Sequence, residues 1–436
     1  MNIKRLTINF IAFSTFTIFF IACGNSNNNP VDSGNNNTSA ALIISISSPV
    51  VTPLVKVTGK NKNYNLSSTD TLKGIDPGTY TIISSHVDQS ASSGELVGKS
   101  YGVLNPVRQV IIKAGETQSI NIDYVVLPGS GKLWVSDDNG SRMLAFDKTV
   151  LTAPGSPAPS VKIQFNFEGP RGFAFDKMGN LWVAGFSKSH VFAFSPGQLS
   201  GNTSANPIIT ISNNSIHGPN GLIFDASGNL WISNWSTGNI VAYKSDSLLD
   251  MLVKTGNITA EPGIQITSTA LKKPDYMTFD GAGNLWIAGQ NPSTNDGEII
   301  KILSTDLNSS GEVSPSIVIS ESSQPTLINV TSLAFDKNGN LWGTDGNSFF
   351  RFTANQLTVS GATVPQLYRG VPAPALLTGL VFDSQANLWI GETYTPRLIR
   401  YTYPDNGYGT TYNTSSALDE PTWLVFFPSI NGYSIN

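Results

Sequence analysis

An amide and a carboxylate stand at matching places in two short phrases of this 436-residue sequence, Asn220 in "PNG" and Asp275 in "PD". Together they can hydrogen-bond a polar ligand, or supply two of the oxygens of a divalent cation site that needs six or more. His217 lies three residues before Asn220, and a histidine acts as a base only where other side chains position it. The pattern predicts a polar site and leaves its chemistry open.

The elements that would position these residues are set by a long-range repeat. Six tryptophans stand 48, 49, 55, 56 and 47 residues apart, and "FDKMGNLWVAG" returns as "FDASGNLWISN", "FDGAGNLWIAG", "FDKNGNLWGTD" and "FDSQANLWIGE". An interval near fifty residues with several short strands in each unit predicts the blades of a β-propeller. The tryptophans are Trp134, Trp182, Trp231, Trp286, Trp342 and Trp389.

Each unit reads as four strands, of which the first ends in Phe-Asp and the second begins at Asn-Leu-Trp. The aspartate can accept hydrogen bonds from the backbone of its own turn, and the tryptophan can fill the space between neighbouring blades. Alternating carboxylates are absent from these turns, so we interpret the phrases as scaffold rather than as calcium loops.

The first unit, "GKLWVSDDNGSRMLAFD", lacks a leading strand, while "EPTWLVFFPS" near the end is a leading strand without a follower. We therefore predict an all-β chain in which residues 129–436 form a six-bladed β-propeller and residues 421–428 complete the first blade. The units over about residues 130–430 resemble the NHL, gluconolactonase-like and streptogramin-lyase-like propellers.

Aligning the units brings one polar residue of each to the start of the innermost strand, on the face where loops carry most chemistry. We predict a ligand site at this channel mouth, lined by Arg171, Asn220 and Asp275, with Trp235 and Tyr394 on the rim. The aligned residues are Arg171, Asn220, Asp275, Thr331, Thr378 and Thr422.

Three functions fit this mouth. The first, which we favour because no set of nucleophile, base and orienting residue is visible, is binding of a small molecule, glycan or protein without catalysis and without a cofactor. The gluconolactonase-like resemblance implies instead a metal-dependent hydrolase whose divalent cation, Ca²⁺ or Mg²⁺, contacts Asn220 and Asp275; neither Glu168 nor Glu420 fits the third ligand position. The streptogramin-lyase-like resemblance implies a lyase using Mg²⁺, with His217 and Glu392 as the candidate catalytic residues.

Residues 41–128 alternate as short strands between Gly- and Pro-containing turns, which predicts a small β-sandwich. The phrases "LKGIDPGTYTI" and "VIIKAGETQSINIDY" resemble Ig-like or carboxypeptidase-regulatory-like modules. We predict a spacer without chemistry and discount its histidine, His86.

The N-terminal residues predict where in the cell the protein is located. Lys4 and Arg5 precede a fifteen-residue apolar stretch, too short for a comfortable membrane span, so residues 1–22 read as a signal peptide. The phrase "FIAC" resembles the lipobox of bacterial lipoproteins, and Cys23, the chain's single cysteine, is the predicted lipidation site. The Asn-rich residues 23–40 form a flexible tether. We predict a lipid-anchored protein of the cell envelope, at the outer membrane or cell surface, with the membrane as a partner.

The charge of the chain argues against one class of partner. Charged residues make up 13% of the sequence, the net charge is −4, and no basic cluster follows the signal peptide. Binding a phosphate backbone needs such a cluster, so nucleic acid is excluded from the predicted partners.

Overall fold

The computed structural model of the chain describes residues 39–290, 296–320, 327–372, 374–402, 410–413 and 417–429. The predicted signal peptide, the lipidation site Cys23 and nearly all of the tether lie outside these residues. Across the part described, no helix is both long enough and apolar enough to span a membrane.

The chain is nearly all-β, and its first three sheets lie within residues 40–126. Alternation of apolar and polar residues buries Leu42, Ile44, Val57, Tyr80 and Ile82 in one shared core. The three sheets, in order of neighbouring strands, are Asp70–Ile75, Ala40–Ser47 and Thr117–Asp123; Lys62–Leu66, Leu54–Gly59, Gly78–Ser85 and Val107–Ile112; and Val125–Val126, Lys99–Gly102 and Val87–Gln89.

Among the described residues six further sheets follow, and each contains one of the six tryptophan strands. From the innermost strand outward they are: sheet 1, Pro421–Phe427, Lys132–Asp137, Arg142–Asp147, Val161–Gln164 and Asn202–Ser204; sheet 2, Pro170–Phe175, Leu181–Gly185, His190–Phe194, Ile209–Ile211 and Gly256–Ile258; sheet 3, Pro219–Phe224, Leu230–Asn234, Asn239–Tyr243, Ile264–Thr267 and Gly311–Glu312; sheet 4, Pro274–Phe279, Leu285–Gln290, Gly297–Ile302, Ile317–Ser320 and Gly361–Ala362; sheet 5, Val330–Phe335, Leu341–Asp345, Ser348–Phe352 and Leu367–Gly370; and sheet 6, Leu377–Phe382, Leu388–Glu392, Arg397–Tyr401 and Thr410–Asn413. In the described residues one α-helix, Ser245–Lys254, connects strand Asn239–Tyr243 to strand Gly256–Ile258 along the chain. Short 3-10 helices span Lys148–Leu151, Phe186–Lys188, Pro196–Gln198, Ser304–Leu307 and Ala354–Thr358.

The innermost strands of these sheets pack side by side in a closed series. Each contacts the innermost strand of the next sheet, and the strand of sheet 6 contacts Pro421–Phe427 of sheet 1, which in turn contacts that of sheet 2. Pro421–Phe427 also pairs antiparallel with Lys132–Asp137, so the last strand described joins the first tryptophan strand. A closed series of radial, mostly antiparallel sheets is a β-propeller.

The outer edges of sheets 1 to 4 are covered by a strand borrowed from the next unit. Asn202–Ser204, for example, precedes the fourth strand of sheet 2 in the chain but pairs parallel with Val161–Gln164 of sheet 1. The same exchange recurs at sheets 2, 3 and 4. The added strands are only two or three residues long, so each sheet presents a short edge to other chains, and each exchange ties two sheets together by backbone hydrogen bonds.

The repeated phrase closes its own turn. Asp176 accepts hydrogen bonds through Oδ1 from the backbone N–H groups of Met178 and Asn180, and through Oδ2 from Asn180 Nδ2 and Trp182 Nε1 at 2.9 Å. The same bond joins aspartate and indole in sheets 3 to 6. Trp134 has no such aspartate and donates to the Gly129 carbonyl oxygen at 2.8 Å.

Each tryptophan also fills the space between two sheets. Its ring meets, edge to face, the phenylalanine at the end of the next innermost strand, with centroids 5.7–6.4 Å apart. The last pair, Trp389 with Phe426, joins sheet 6 to sheet 1. The remaining pairs are Trp134 with Phe175, Trp182 with Phe224, Trp231 with Phe279, Trp286 with Phe335 and Trp342 with Phe382.

Candidate functional site

Polar side chains at one end of the ring join into a single hydrogen-bonded row across sheets 1 to 4. Arg171 donates from Nε to Asp138 Oδ2 at 3.0 Å and from Nη1 to Asn220 Oδ1 at 3.3 Å. Asn220 donates from Nδ2 to Asp275 Oδ1 at 2.6 Å. The three residues predicted to line the mouth therefore lie together, and we call Asp138, Arg171, Asn220 and Asp275 the polar row.

The row can form because these innermost strands come unusually close. A Cβ on Gly221 would lie 2.5 Å from the Asp275 carbonyl oxygen and 2.8 Å from Ser233 Oγ, so only glycine fits after Asn220. Ser233 Oγ donates to the same carbonyl at 2.7 Å. The Gly in "PNG" thus brings Asn220 within reach of the neighbouring Asp275.

Aromatic rings and a second cation flank the row. The Arg171 guanidinium lies 3.7 Å from the centroid of the Phe186 ring, and Phe186 meets Trp235 edge to face at 5.8 Å. The Lys273 ammonium lies 4.3 Å from the Trp235 ring, a cation–π distance. Trp235 is half-buried, whereas Tyr394, the other predicted rim residue, is 63% exposed.

A stacked pair of aromatic side chains lies beneath the polar row, inside the circle of innermost strands. Tyr276 on sheet 4 and Trp423 on sheet 1 lie with centroids 4.1 Å apart and planes 19° from parallel. Because sheets 1 and 4 stand opposite each other in a series of six, this contact crosses the centre of the ring. Burial raises the pKa of the Tyr276 hydroxyl well above its usual value, so it stays protonated.

Asp275 is the most perturbed carboxyl of the row. Burial raises its pKa to about 7, and the opposing charge of Arg171 offsets only part of that effect. Protein atoms surround the carboxyl, yet part of the residue surface remains accessible, which fits a group at the bottom of a narrow opening. Burial also raises the pKa of Glu420, with Asp138 raising it further and Arg171 lowering it. Near neutral pH Asp275 can therefore donate or accept a hydrogen bond.

The three aligned threonines hold the ring together. Thr331 Oγ1 donates to the Leu377 carbonyl oxygen at 3.0 Å, and Thr378 Oγ1 to that of Pro421 at 2.7 Å. Thr422 Oγ1 shares a 3.0 Å hydrogen bond with Ser136 Oγ. The hydroxyls of Thr331 and Thr378 thus bind the neighbouring sheet, and that of Thr422 binds the adjacent strand of its own sheet. The ligand-facing polar groups described at the mouth therefore belong to sheets 1 to 4.

The two candidate catalytic residues are engaged elsewhere. Glu392 is fully buried and ion-paired with Arg397, its Oε2 lying 3.0 Å from Nε without hydrogen-bond alignment. Glu392 also accepts from the backbone of Thr395, as Asp345 at the equivalent place accepts from the backbone of Asn329. Glu392 therefore braces a link between strands.

His217 is exposed and forms a hydrogen bond through Nε2 to the Asn214 carbonyl oxygen of its own turn at 2.8 Å. Its backbone N–H donates to Asn234 Oδ1 at 3.0 Å. No carboxylate orients the imidazole among the contacts of this turn that the structure describes, so the turn holds His217 in place without activating it.

The mouth does not fit a divalent cation. Within the described ranges no three His, Cys, Asp or Glu side chains converge as a metal set. Asn220 and Asp275, the candidate ligands, are adjacent, but the Asn220 oxygen already accepts from the Arg171 guanidinium, whose charge would repel a cation. The residues of the mouth therefore do not form a metal site.

Sequence reasoning missed Lys273, Tyr276 and Trp423. Tyr276 and Trp423 each come one position after an aligned residue, Asp275 and Thr422, and an aromatic residue at that position in opposite units was the available signal. What the repeat does not reveal is a contact across the ring.

No protein-family model matches the sequence, and no curated protein matches it at a significant level. Among solved structures, the chain is similar to a catalytically inactive virginiamycin B lyase from Staphylococcus aureus with quinupristin, at 13% identity, TM-score 0.42, covering 78% of this chain and 92% of that chain. It is similar to a protein of unknown function from Bacteroides caccae at 10% identity, TM-score 0.45, covering 68% and 98%. A gluconolactonase-like protein is 18% identical, TM-score 0.35, over 57% and 78%. Identities this low are compatible with unrelated activities.

Proposed function

We propose that this protein binds a hydroxyl-bearing small molecule or glycan at the channel mouth without chemical conversion. The observation that carries the proposal is the polar row placed above the Tyr276–Trp423 pair. Asn220 and Asp275 offer donors and acceptors side by side, and the aromatic residues Phe186 and Trp235 flank them. Polar groups that fix orientation beside aromatic faces are typical of small-molecule sites.

The absence of an assembled base supports binding over catalysis. His217 and Glu392 are engaged in their own turns, and neither contacts the polar row among the hydrogen bonds that the structure describes. A protein loop remains a further candidate ligand, because Tyr394, the other residue predicted for the rim, is 63% exposed.

The surrounding architecture is part of the proposal. The six sheets are the six blades of one propeller, with Pro421–Phe427 completing the first blade, and residues 41–128 form an Ig-like domain before it. Residues 1–22 are removed as a signal peptide, Cys23 carries the lipid, and residues 23–40 tether the protein to the outer membrane or cell surface. No nucleic acid is bound.

The test is a glycan array with neutral and acidic oligosaccharides, followed by calorimetry on any hit. Asp275→Asn keeps the shape of the site but fixes the hydrogen-bonding pattern of an amide, and we expect at least a tenfold loss of affinity. Asp246→Asn, on the exposed face of helix Ser245–Lys254, is the matched control and should bind like the wild type. Equal binding by both variants would remove the site from this mouth.

A second candidate rests on the pKa of Asp275, since a carboxyl titrating near 7 suits a general acid or base. Under this candidate the protein is a lyase or a lactone hydrolase. Incubation with quinupristin and with simple lactones, each with Mg²⁺, Ca²⁺ or EDTA, tests it by chromatography of the products. Turnover that Asp275→Asn abolishes and Asp246→Asn retains would replace the binding proposal.

A further inference from the structure

A cavity of about 650 Å³ lies at the other end of the ring, beyond the Tyr276–Trp423 pair. Its walls are the later halves of the innermost strands, including Phe173, Leu222 and Phe426, and the turn at Lys177. Tyr276 lines it as well, so one aromatic residue borders both ends. The volume is within the range of roughly 300–1,000 Å³ typical of small-molecule sites.

The N-terminal sheets supply the opposite wall, through Leu54 and residues 85–88. The His86 backbone N–H donates to the Lys177 carbonyl oxygen at 2.8 Å, and the His86 ring meets Phe427 edge to face at 5.5 Å. Further around, the Ser384 N–H donates to the Leu96 carbonyl oxygen at 3.0 Å. Backbone hydrogen bonds of this kind hold the wall in a defined position.

His86 is the polar group of this wall whose orientation is fixed. Its Nδ1 lies 2.9 Å from Asp88 Oδ1, which also accepts from Ser100 Oγ at 2.6 Å. Burial alone would raise the pKa of Asp88, but the hydrogen bonds from His86 and from the Ser100 hydroxyl help to lower it below its usual value. Asp88 is therefore an acceptor, and its partner Nδ1 carries the proton.

The other ring nitrogen is available. Nε2 of His86 forms no hydrogen bond with any residue that the structure describes, and in the neutral imidazole, with the Nδ1 proton directed at Asp88, it is an acceptor. The remaining lining is mostly aromatic and aliphatic. Its acidic side chains, Asp88 and Asp176, are engaged by their own neighbours, and Lys177 donates from Nζ to the Ala226 carbonyl oxygen at 2.8 Å. An apolar wall with one oriented acceptor suits an apolar ligand carrying one donor.

We propose that this cavity is a second binding site, which takes an apolar small molecule carrying one hydroxyl group and orients that hydroxyl toward Nε2 of His86. The N-terminal domain then has a binding role, because it supplies both the acceptor and one wall. This site is separate from the polar row, since the Tyr276–Trp423 pair lies between them.

The test uses 1-anilinonaphthalene-8-sulfonate fluorescence on the full mature chain, with 4-hydroxybiphenyl and biphenyl as competitors. We expect one dye site per chain, displaced by both competitors and about fivefold better by the hydroxylated one, the value of one hydrogen bond. His86→Leu keeps the apolar wall and should abolish this preference while biphenyl competes as before. Asp250→Asn, on the exposed surface of helix Ser245–Lys254 and outside the cavity lining, should leave every titration unchanged.

Two variants fill the cavity from opposite walls, so that the test of the binding site does not depend on the correct folding of a single variant. Thr278→Trp projects from the innermost strand of sheet 4 and Ser85→Trp from the N-terminal wall. Whichever variant retains the wild-type circular dichroism and melting should lose dye binding at least tenfold. Undiminished dye binding in a folded filling variant, or a hydroxyl preference that survives His86→Leu, overturns the proposal.

Discussion

Asp275 is the single residue on which the chemistry of the mouth depends. Its carboxyl is surrounded by protein atoms, receives one hydrogen bond from Asn220 and has no direct cationic partner among the contacts described. Arg171 is directed instead to Asp138, with an ion pair at 3.0 Å. A carboxyl left in this state is costly when ionised, so its protonation is linked to folding.

The first prediction follows from that linkage. The pKa of Asp275 is about 7 in the folded chain against about 3.9 when unfolded. The folded state therefore binds the proton more tightly, and this contribution to stability is fully present below pH 4 and is lost as the pH rises to 7. We therefore expect the free energy of unfolding of Asp275→Asn, relative to that of the wild type, to increase between pH 4 and pH 7 by up to about 4 kcal/mol.

Urea unfolding at pH 4.5, 6 and 7.5 measures the difference between variant and wild type at each pH. Subtracting the wild type removes the effect of other titrating groups, Glu420 among them. Asp246→Asn should show no such pH dependence. A constant difference between Asp275→Asn and the wild type across the three pH values contradicts the linkage.

At the scale of one element, the turn from the first to the second strand depends on its aspartate. Asp225 accepts from the backbone of Ser227 and Asn229 through Oδ1 and from Trp231 Nε1 at 2.9 Å through Oδ2. Asp225→Ala leaves the buried indole N–H without this acceptor, and we expect a loss of about 2–3 kcal/mol in the free energy of unfolding. Asp250→Ala, on the exposed helix surface, should cost under about 0.5 kcal/mol. Similar losses for both would show that the turn needs no side-chain acceptor.

The strands and turns within one unit were predictable from the sequence, whereas contacts between distant units were not. The recurrence of Phe-Asp and Asn-Leu-Trp indicates strands, turns and the buried indole, because each of those interactions is local to one unit. The polar row was partly predictable, since alignment brings Arg171, Asn220 and Asp275 to equivalent places. The Tyr276–Trp423 stack and the wall at His86 were not, because they join units far apart in the chain and the repeat describes only what happens within one unit.

At the scale of the whole molecule, the seam between sheets 6 and 1 is built like the other seams. Trp389 meets Phe426 there at 6.1 Å, and Trp342 meets Phe382 at 5.9 Å between sheets 5 and 6. Both phenylalanines are buried, so truncation to alanine leaves a similar cavity at either place. We expect Phe426→Ala and Phe382→Ala each to lower the free energy of unfolding by about 3–5 kcal/mol. A Phe426→Ala cost well below that of Phe382→Ala would mean that the ring closes some other way.

The predicted lipid anchor concerns the whole molecule as well. Cys23 is the chain's single cysteine, and it follows the apolar stretch directly. Expressed with its signal peptide in a bacterial host, the protein should enter the detergent phase of a Triton X-114 partition, and Cys23→Ser should move it to the aqueous phase. Unchanged partitioning of the variant would refute lipidation at this residue.

The borrowed outer strands give the ring an uneven resistance to opening. Each of sheets 1 to 4 takes its outermost strand from the following unit, and the last of these exchanges ties sheet 4 to the unit of sheet 5. Between sheets 5, 6 and 1 the described residues show no such exchange. Those junctions depend on side-chain packing, on the hydrogen bonds of Thr331 and Thr378, and on the pairing of Pro421–Phe427 with the first tryptophan strand. The ring thus consists of one part whose neighbouring sheets exchange strands and a second part that is closed by the C-terminal strand. In native-state hydrogen exchange, the amides of Leu377–Phe382 and Pro421–Phe427 should lose protection before those of Pro219–Phe224.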